Sequence, residues 1–171
     1  GIKELFRLKT NDLMRIPGVG QTLAETIRHE DYYRIADEML EFANKFDVSV
    51  LTWYDKNYPS RLKSCEDGPL VLFVKGRPIE SDKKYLAMVG TRAATQRGQA
   101  FCRELVEQIS RTHPDVSIVS GLAYGIDIAA HKACVEFGVP TYGVLAHGLD
   151  TIYPTAHRDV AAEMVKTGGL V

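Results

Sequence analysis

The feature that most constrains the fold is a unit that occurs twice between residues 84 and 125: an apolar segment, a glycine turn and a helical pattern. The apolar segments, Tyr85–Val89 and Val116–Val119, have the length and composition of buried strands. Gly90-Thr91-Arg92 follows the first and Ser120-Gly121 follows the second, and each turn opens a helical pattern. Such repeats are typical of a parallel α/β sheet, which presents backbone N–H groups to anions where its helices begin.

The same alternation continues to the end of the sequence. It predicts, in order, a helix at 96–111, a strand at 116–119, a helix at 124–137, a strand at 141–145 and a helix at 158–167. This order predicts a mostly parallel α/β sheet with helices on both faces. Leu170 and Val171 resemble the start of a further strand, so we expect the C-terminal end of the sheet to be truncated.

Residues 1–47 are predicted to form a small all-helical domain, and residues 48–171 the sheet domain with its connector and early strand. A tight turn at Ile16–Gly20 separates two helical patterns, and a third runs over 31–46. The turn resembles the hairpin of a helix-hairpin-helix motif, in which backbone N–H groups at the start of the second helix bind a DNA phosphate. A helical hairpin that only packs against its neighbours explains the pattern equally well.

Composition and charge restrict the function classes. Hydrophobic residues make up 45% of the chain and charged residues 25%, as in ordinary globular proteins. No apolar run approaches the roughly 20 residues that cross a bilayer, and the N-terminus lacks a secretory apolar segment. The net charge of −1 means that nucleic-acid binding would need cations gathered on one face.

The three cysteines indicate a reducing compartment. Cys65, Cys102 and Cys134 are far apart in the sequence and form no CxxC pair. We predict free, mostly buried thiols in a cytoplasmic protein, and we expect neither a zinc site nor a cofactor.

Three turns are predicted to lie at the carboxyl edge of the sheet, at residues 90–92, 120–125 and 146–150. Ligands of open α/β sheets gather at this edge, and the glycine in each turn permits close backbone approach. We therefore predict a shallow cleft lined by amides and suited to phosphate, with Arg92 as a bidentate ligand. The turns do not match GxGxxG or GxxxxGKS/T, so the sequence does not favour a dinucleotide site or a P-loop.

Three segments carry a family resemblance. VGTRAATQRG (89–98), SGLAYGIDIAAH (120–131) and GLDTIYPTAHR (148–158) resemble the successive signatures of the bacterial DNA-processing protein A family, also called Smf. Tyr58-Pro59 and the segment Pro69–Gly76 match what precedes these signatures in the family. The resemblance covers residues 50–171 closely and the helical N-terminal part loosely.

This resemblance implies an extended Rossmann-like domain preceded by a SAM-like helical domain. It implies binding of single-stranded DNA and loading of the RecA recombinase onto that DNA during natural transformation, without enzymatic turnover. Members of the family typically form homodimers through the sheet domain. The implied partners are therefore single-stranded DNA, RecA and a second copy of the chain, and no membrane.

The resemblance also implies DNA-binding or phosphate-binding residues. Arg92 matches the motif arginine of the first turn and is the first candidate for a phosphate ligand. Arg97 replaces an aromatic that often precedes Gly98, Tyr124 replaces an arginine and offers a stacking face, and His157 replaces the usual asparagine. The predicted set is Gly90, Thr91, Arg92, Arg97, Ser120, Gly121, Tyr124, Lys132, Gly148 and Arg158.

Alternative functions stay open at this point. Asp127 and His131 lie four residues apart on one helical face, but no nucleophile accompanies them, so we interpret them as a structural pair. A lysine-decarboxylase-like nucleotide phosphoribohydrolase has the same type of sheet, although its PGGxGTxxE signature is absent here. The third alternative is an interaction scaffold that uses the helical part or a sheet edge.

Overall fold

The structure, a computed structural model, describes residues 2–29 and 31–171. The chain divides into two compact units, Gly1–Phe42 and Ala43–Val171. This division falls inside the last helix of the N-terminal part, whereas the predicted boundary after residue 47 lies just beyond that helix.

The N-terminal part of the chain is helical. Lys9 occupies the N-cap position of the helix Thr10–Leu13, and its side chain makes no capping bond. Leu13 and Ala24 are fully buried and lie on the two helices that flank the turn containing Gly18, whose φ is +85°. The helices are α1 (Ile2–Leu5), α2 (Thr10–Leu13), α3 (Gln21–Arg28) and α4 (Asp31–Lys45).

The second unit contains a six-stranded sheet and four helices. Its strands are β1 (Val48–Thr52), β2 (Val71–Gly76), β3 (Lys84–Ala87), β4 (Val116–Ser120), β5 (Thr141–Gly143) and β6 (Gly169–Leu170). Its helices are α5 (Ser60–Lys63), α6 (Gln96–Thr112), α7 (Ile126–Phe137) and α8 (Arg158–Thr167), with a short 3-10 helix at Thr155–His157.

The sheet has the strand order β1-β2-β6-β5-β4-β3. Strands β3 to β6 pair in parallel, whereas β1 and β2 join as antiparallel strands. The predicted mostly parallel α/β sheet is therefore confirmed. Leu170 lies in a further strand as predicted, and this strand, β6, pairs with both β5 and β2.

Both faces of the sheet carry helices. Helices α6, α7 and α8 pack on one face, where Ile118 of β4 and Leu170 of β6 belong to their buried clusters. Because side chains alternate along a strand, Val119 and Tyr142 point to the opposite face. Residues of α5 line an apolar cavity of about 420 Å³ there, together with Val119 and Tyr142.

All three thiols are free, and two of them are buried as predicted. Burial raises the pKa of the Cys102 thiol, and it raises the pKa of Cys134 to about 12. Both side chains therefore act as small apolar residues between α6 and α7. Among the helices of residues 2–29 and 31–171, none has the length and hydropathy that a membrane span requires.

Candidate nucleic-acid interface

Three loops of the sheet unit meet at the carboxyl edge of the parallel strands. They are turn one (residues 90–92) after β3, turn two (residues 120–125) at the end of β4, and turn three (residues 146–150) after β5. Because β3, β4 and β5 are parallel neighbours, their carboxyl ends point the same way. The structure thus brings the three predicted turns together, and we call this rim the loop edge.

Turn one packs against Gly125 of turn two and against Ile126, the first residue of α7. A Cβ at Gly90 would lie 2.6 Å from Cγ1 of Ile126, and a Cβ at Gly125 would overlap the carbonyl oxygen of Thr91. The N–H of Ile126 donates to that same oxygen at 3.2 Å. Glycine is therefore needed at both positions so that the two turns form one continuous surface.

The donors of turn one are available to an anion. The backbone N–H groups of Gly90, Thr91 and Arg92 have no hydrogen-bond partner within the described part of the chain. The Thr91 hydroxyl accepts the N–H of Ala93 at 3.2 Å, which fixes the shape of the turn. The Arg92 side chain is exposed, and it forms no ion pair within residues 2–29 and 31–171. Among the described residues, the backbone amides and the guanidinium of turn one thus have no partner and can bind an anion.

Two further cations lie close to the loop edge in the fold. Arg97 is in the first turn of α6 and Arg158 is the first residue of α8, and both helices begin at this edge. Both side chains are exposed and have no ion pair among the described residues. Lys132 is also exposed, but it lies six residues after Ile126, about 9 Å along α7. It therefore sits on the flank of α7, off the edge itself.

Two predicted contacts of turn two are occupied inside the protein. The hydroxyl of Ser120 is buried and donates to the carbonyl oxygen of Met88 at 2.6 Å. The N–H of Gly121 donates to Oδ2 of Asp127 at 3.1 Å. The Ser120 hydroxyl and the Gly121 N–H thus stabilise the turn itself. In turn two, the backbone N–H groups without a partner among the described residues are those of residues 122–125.

Turn three also presents backbone at the edge. A Cβ at Gly148 would lie 2.6 Å from Oδ1 of Asp150, so a side chain there would displace the carboxylate. Nδ1 of His147 is 2.9 Å from the Gly148 carbonyl oxygen. The absence of a side chain at Gly148 therefore leaves room for the Asp150 carboxylate against the backbone of the loop.

Asp127 and His131 are buried beneath turn two. Asp127 accepts the Gly121 N–H, and Nδ1 of His131 lies 2.8 Å from Oγ1 of Thr141. Because Thr141 donates its hydrogen to the Ile118 carbonyl, its oxygen accepts from Nδ1–H of His131. Neither side chain faces solvent, which agrees with a structural role.

The pKa of His131 makes stability depend on pH. Burial lowers this pKa from 6.5 to about 4, and Nε2 has no partner among the described residues. Between these values the unfolded chain binds more protons than the folded one, so the free energy of unfolding falls as pH falls. We expect a loss of about 2 kcal/mol between about pH 7 and about pH 4.5.

Urea unfolding at several pH values measures this effect. His131→Asn, which keeps a side-chain donor, should lose this part of the pH dependence, whereas His113→Gln at an exposed position should keep it. Equal pH dependence of the wild type and His131→Asn would contradict the assignment.

Tyr124 gives the loop edge an aromatic side chain. Half of it is exposed, and its ring packs edge-to-face on the ring of His157, with centroids 4.9 Å apart. Nδ1 of His157 lies 2.8 Å from the carbonyl oxygen of Leu122 in turn two. His157 occupies the N-cap position of α8, but its side chain makes no capping bond there. No local sequence pattern predicts the contact of His157 with Leu122, because 35 positions separate the two residues.

The site has the chemistry of an anion-binding and stacking surface. Within the described ranges, no group of three His, Cys, Asp or Glu side chains is placed to hold a metal ion. Open amides, exposed guanidinium groups and a half-exposed aromatic ring can bind phosphates and one base face.

Comparisons with known proteins point the same way. Residues 49–171 match the profile of the family described as DNA recombination-mediator protein A. The chain is 35% identical over 147 residues to protein Smf of Escherichia coli, an alignment that covers 80% of the chain and 39% of Smf. It is 36% identical over 131 residues to DNA processing protein DprA of Streptococcus pneumoniae, with 75% and 44% covered. The chain thus spans less than half the length of these relatives.

Solved structures match as well. The X-ray structure of DNA processing protein A from Streptococcus pneumoniae aligns with a TM-score of 0.72 and 29% identity, over 95% of this chain and 55% of that one. DNA processing protein A from Helicobacter pylori, described for its single-stranded DNA binding mode, aligns with a TM-score of 0.58 and 26% identity, over 73% and 54%. These matches confirm the Rossmann-like fold.

Proposed function

Because the chain belongs to the family of DNA recombination-mediator protein A, we propose that it binds single-stranded DNA at the loop edge. The family match covers the sheet and all three turns. A relative from Helicobacter pylori is described for its single-stranded DNA binding mode. The observation that carries the proposal is that the Arg92 guanidinium forms no ion pair, and the amides of turn one no hydrogen bond, with any residue that the structure describes.

Backbone amides and guanidinium groups hold the phosphates. Amides of turns one and two lie side by side, and Arg92 supplies a bidentate, always charged donor. Arg97 and Arg158 continue the positive charge along the same edge, and Lys132 extends it on the flank of α7. Such contacts carry little sequence information, so binding is nearly independent of sequence and falls steeply with salt.

The proposed role in the cell follows the family. The protein protects incoming single-stranded DNA during natural transformation and loads the RecA recombinase onto it in the cytoplasm. It acts without catalysis and as a homodimer, which lengthens the DNA track and adds avidity. Residues 48–171 form the DNA-binding domain, preceded by the helical domain of residues 1–47.

Fluorescence anisotropy with labelled oligo-dT tests the binding function. We expect tight binding at low salt, a linear fall of log K with log salt, and weaker binding of duplex DNA of equal length. Absence of oligo-dT binding at low salt would remove the proposal. RecA loading is tested separately, by the rate of RecA filament formation on the oligonucleotide at limiting RecA.

Tyr124 provides the contact with a base. Stacking of a base on an aromatic ring contributes about 1–3 kcal/mol, so Tyr124→Ala should weaken oligo-dT binding by about fivefold to a hundredfold. Tyr124→Phe keeps the ring and should bind like the wild type. An abasic oligonucleotide of the same length has no base to stack, and its affinity should be the same for all three proteins. Unchanged oligo-dT affinity of Tyr124→Ala would contradict the stacking role.

A further inference from the structure

Turn two is tied to a residue that lies far away in the sequence. His157 is 5% exposed, and its Nδ1 lies 2.8 Å from the carbonyl oxygen of Leu122. A carbonyl oxygen only accepts, so Nδ1 carries the hydrogen and donates it. This bond fixes one point of turn two from outside the loop.

The point that His157 holds is a strained part of the backbone. Leu122 has a φ of +58°, a left-handed conformation that leucine rarely adopts. The Leu122 side chain is fully buried in a cluster with Ile128 and Met164. Such a conformation persists only where the surroundings hold it, and here a buried side chain and a donated hydrogen bond do so.

The same imidazole also contacts the aromatic side chain of the site. The ring of Tyr124 packs on that of His157 at an interplanar angle of 72°. One buried residue therefore bonds to the backbone of turn two and also lies against the Tyr124 ring. On the other side of the turn, Asp127 holds the Gly121 N–H.

We propose that His157 is a positioning residue of the DNA site, acting through its Nδ1–H donor on the carbonyl of Leu122. It keeps the amides of residues 122–125 directed outward and Tyr124 ready to stack. This inference rests on the proposed binding of single-stranded DNA. His157 itself does not touch the DNA, because it is buried beneath the turn.

Two variants separate the donor from the ring. In His157→Asn the side-chain amide keeps an N–H donor close to the position of Nδ1, whereas His157→Phe keeps an aromatic ring and has no donor. We expect His157→Phe to bind oligo-dT about tenfold more weakly and His157→Asn to stay within about twofold of the wild type. Oligo-dT binding by His157→Phe at wild-type affinity would overturn the proposal, and so would equal weakening in both variants.

Hydrogen exchange without DNA tests the same contact independently. The hydrogen-bonded amides at the two ends of the turn are those of Gly121, which donates to Asp127, and Ile128, which donates to the Ala123 carbonyl oxygen. Both should exchange faster in His157→Phe and at the wild-type rate in His157→Asn. Unchanged exchange in His157→Phe would overturn the proposal. Failure of the wild type to bind oligo-dT removes the proposed function, and with it the role of His157 at a DNA site. Wild-type binding that is insensitive to His157→Phe removes the role of His157 alone.

Discussion

Arg92→Ala is expected to weaken the binding of oligo-dT by about tenfold to a hundredfold. A hydrogen bond to a charged group contributes about 1.5–3 kcal/mol, and Arg92 offers a bidentate one to phosphate. Because the guanidinium has no ion pair among the described residues, its removal breaks no salt bridge among them. The thermal stability of the variant should therefore stay unchanged. Anisotropy titrations at several salt concentrations measure the affinity. The slope of log K against log salt should become shallower by about one unit, the value of one phosphate contact.

Arg111→Ala is the matched control. Arg111 lies in the last turn of α6, at the end of the helix that is remote from the loop edge, and it is paired with Glu107. The variant removes the same charge and should bind almost like the wild type. Arg92→Lys keeps the charge but not the two-pronged geometry, so its affinity should lie between wild type and alanine. Equal affinities of Arg92→Ala and Arg111→Ala would exclude Arg92 as a phosphate ligand.

Much of the fold was predictable, because each element of the sheet has a local signal. Short apolar runs followed by glycine turns marked β3, β4 and β5. Their regular alternation with helical patterns then fixed the parallel order and the shared carboxyl edge. The position of the three turns followed from topology, which does not require any side-chain contact to be known.

Side-chain partners were not predictable in the same way. Ser120 contacts Met88, 32 positions away, and His157 contacts Leu122, 35 positions away. No local sequence pattern predicts contacts over such separations. Helical periodicity also does not predict which apolar side chains of a helix are buried. Tyr32, Ile35 and other apolar residues of α4 follow the helical period, yet these two are 49% and 41% exposed. Local sequence therefore specifies the elements, while tertiary packing decides which groups remain available at the site.

Gly125→Ala is expected to destabilise the sheet unit and to open the contact between turns one and two. Gly125 has a φ of +83°, and a Cβ there would overlap the Thr91 carbonyl oxygen and lie 2.7 Å from that of Arg92. Backbone strain of this kind costs about 1–3 kcal/mol, and the clash must in addition move the backbone of turn one. We expect a total loss of about 3 kcal/mol or more in the free energy of unfolding.

Gly138→Ala separates the two causes. Gly138 ends α7 with a φ of +70°, but a Cβ there would meet nothing within 4 Å. This variant carries the strain without the clash and should lose only about 1 kcal/mol. Urea unfolding of both variants measures the difference, and oligo-dT titration adds a second comparison. Gly125→Ala should bind weakly even where it is folded, because displacing Thr91 separates the amides of the two turns, whereas Gly138→Ala should bind normally. Equal unfolding free energies and equal affinities for the two variants would show that turns one and two do not form one surface.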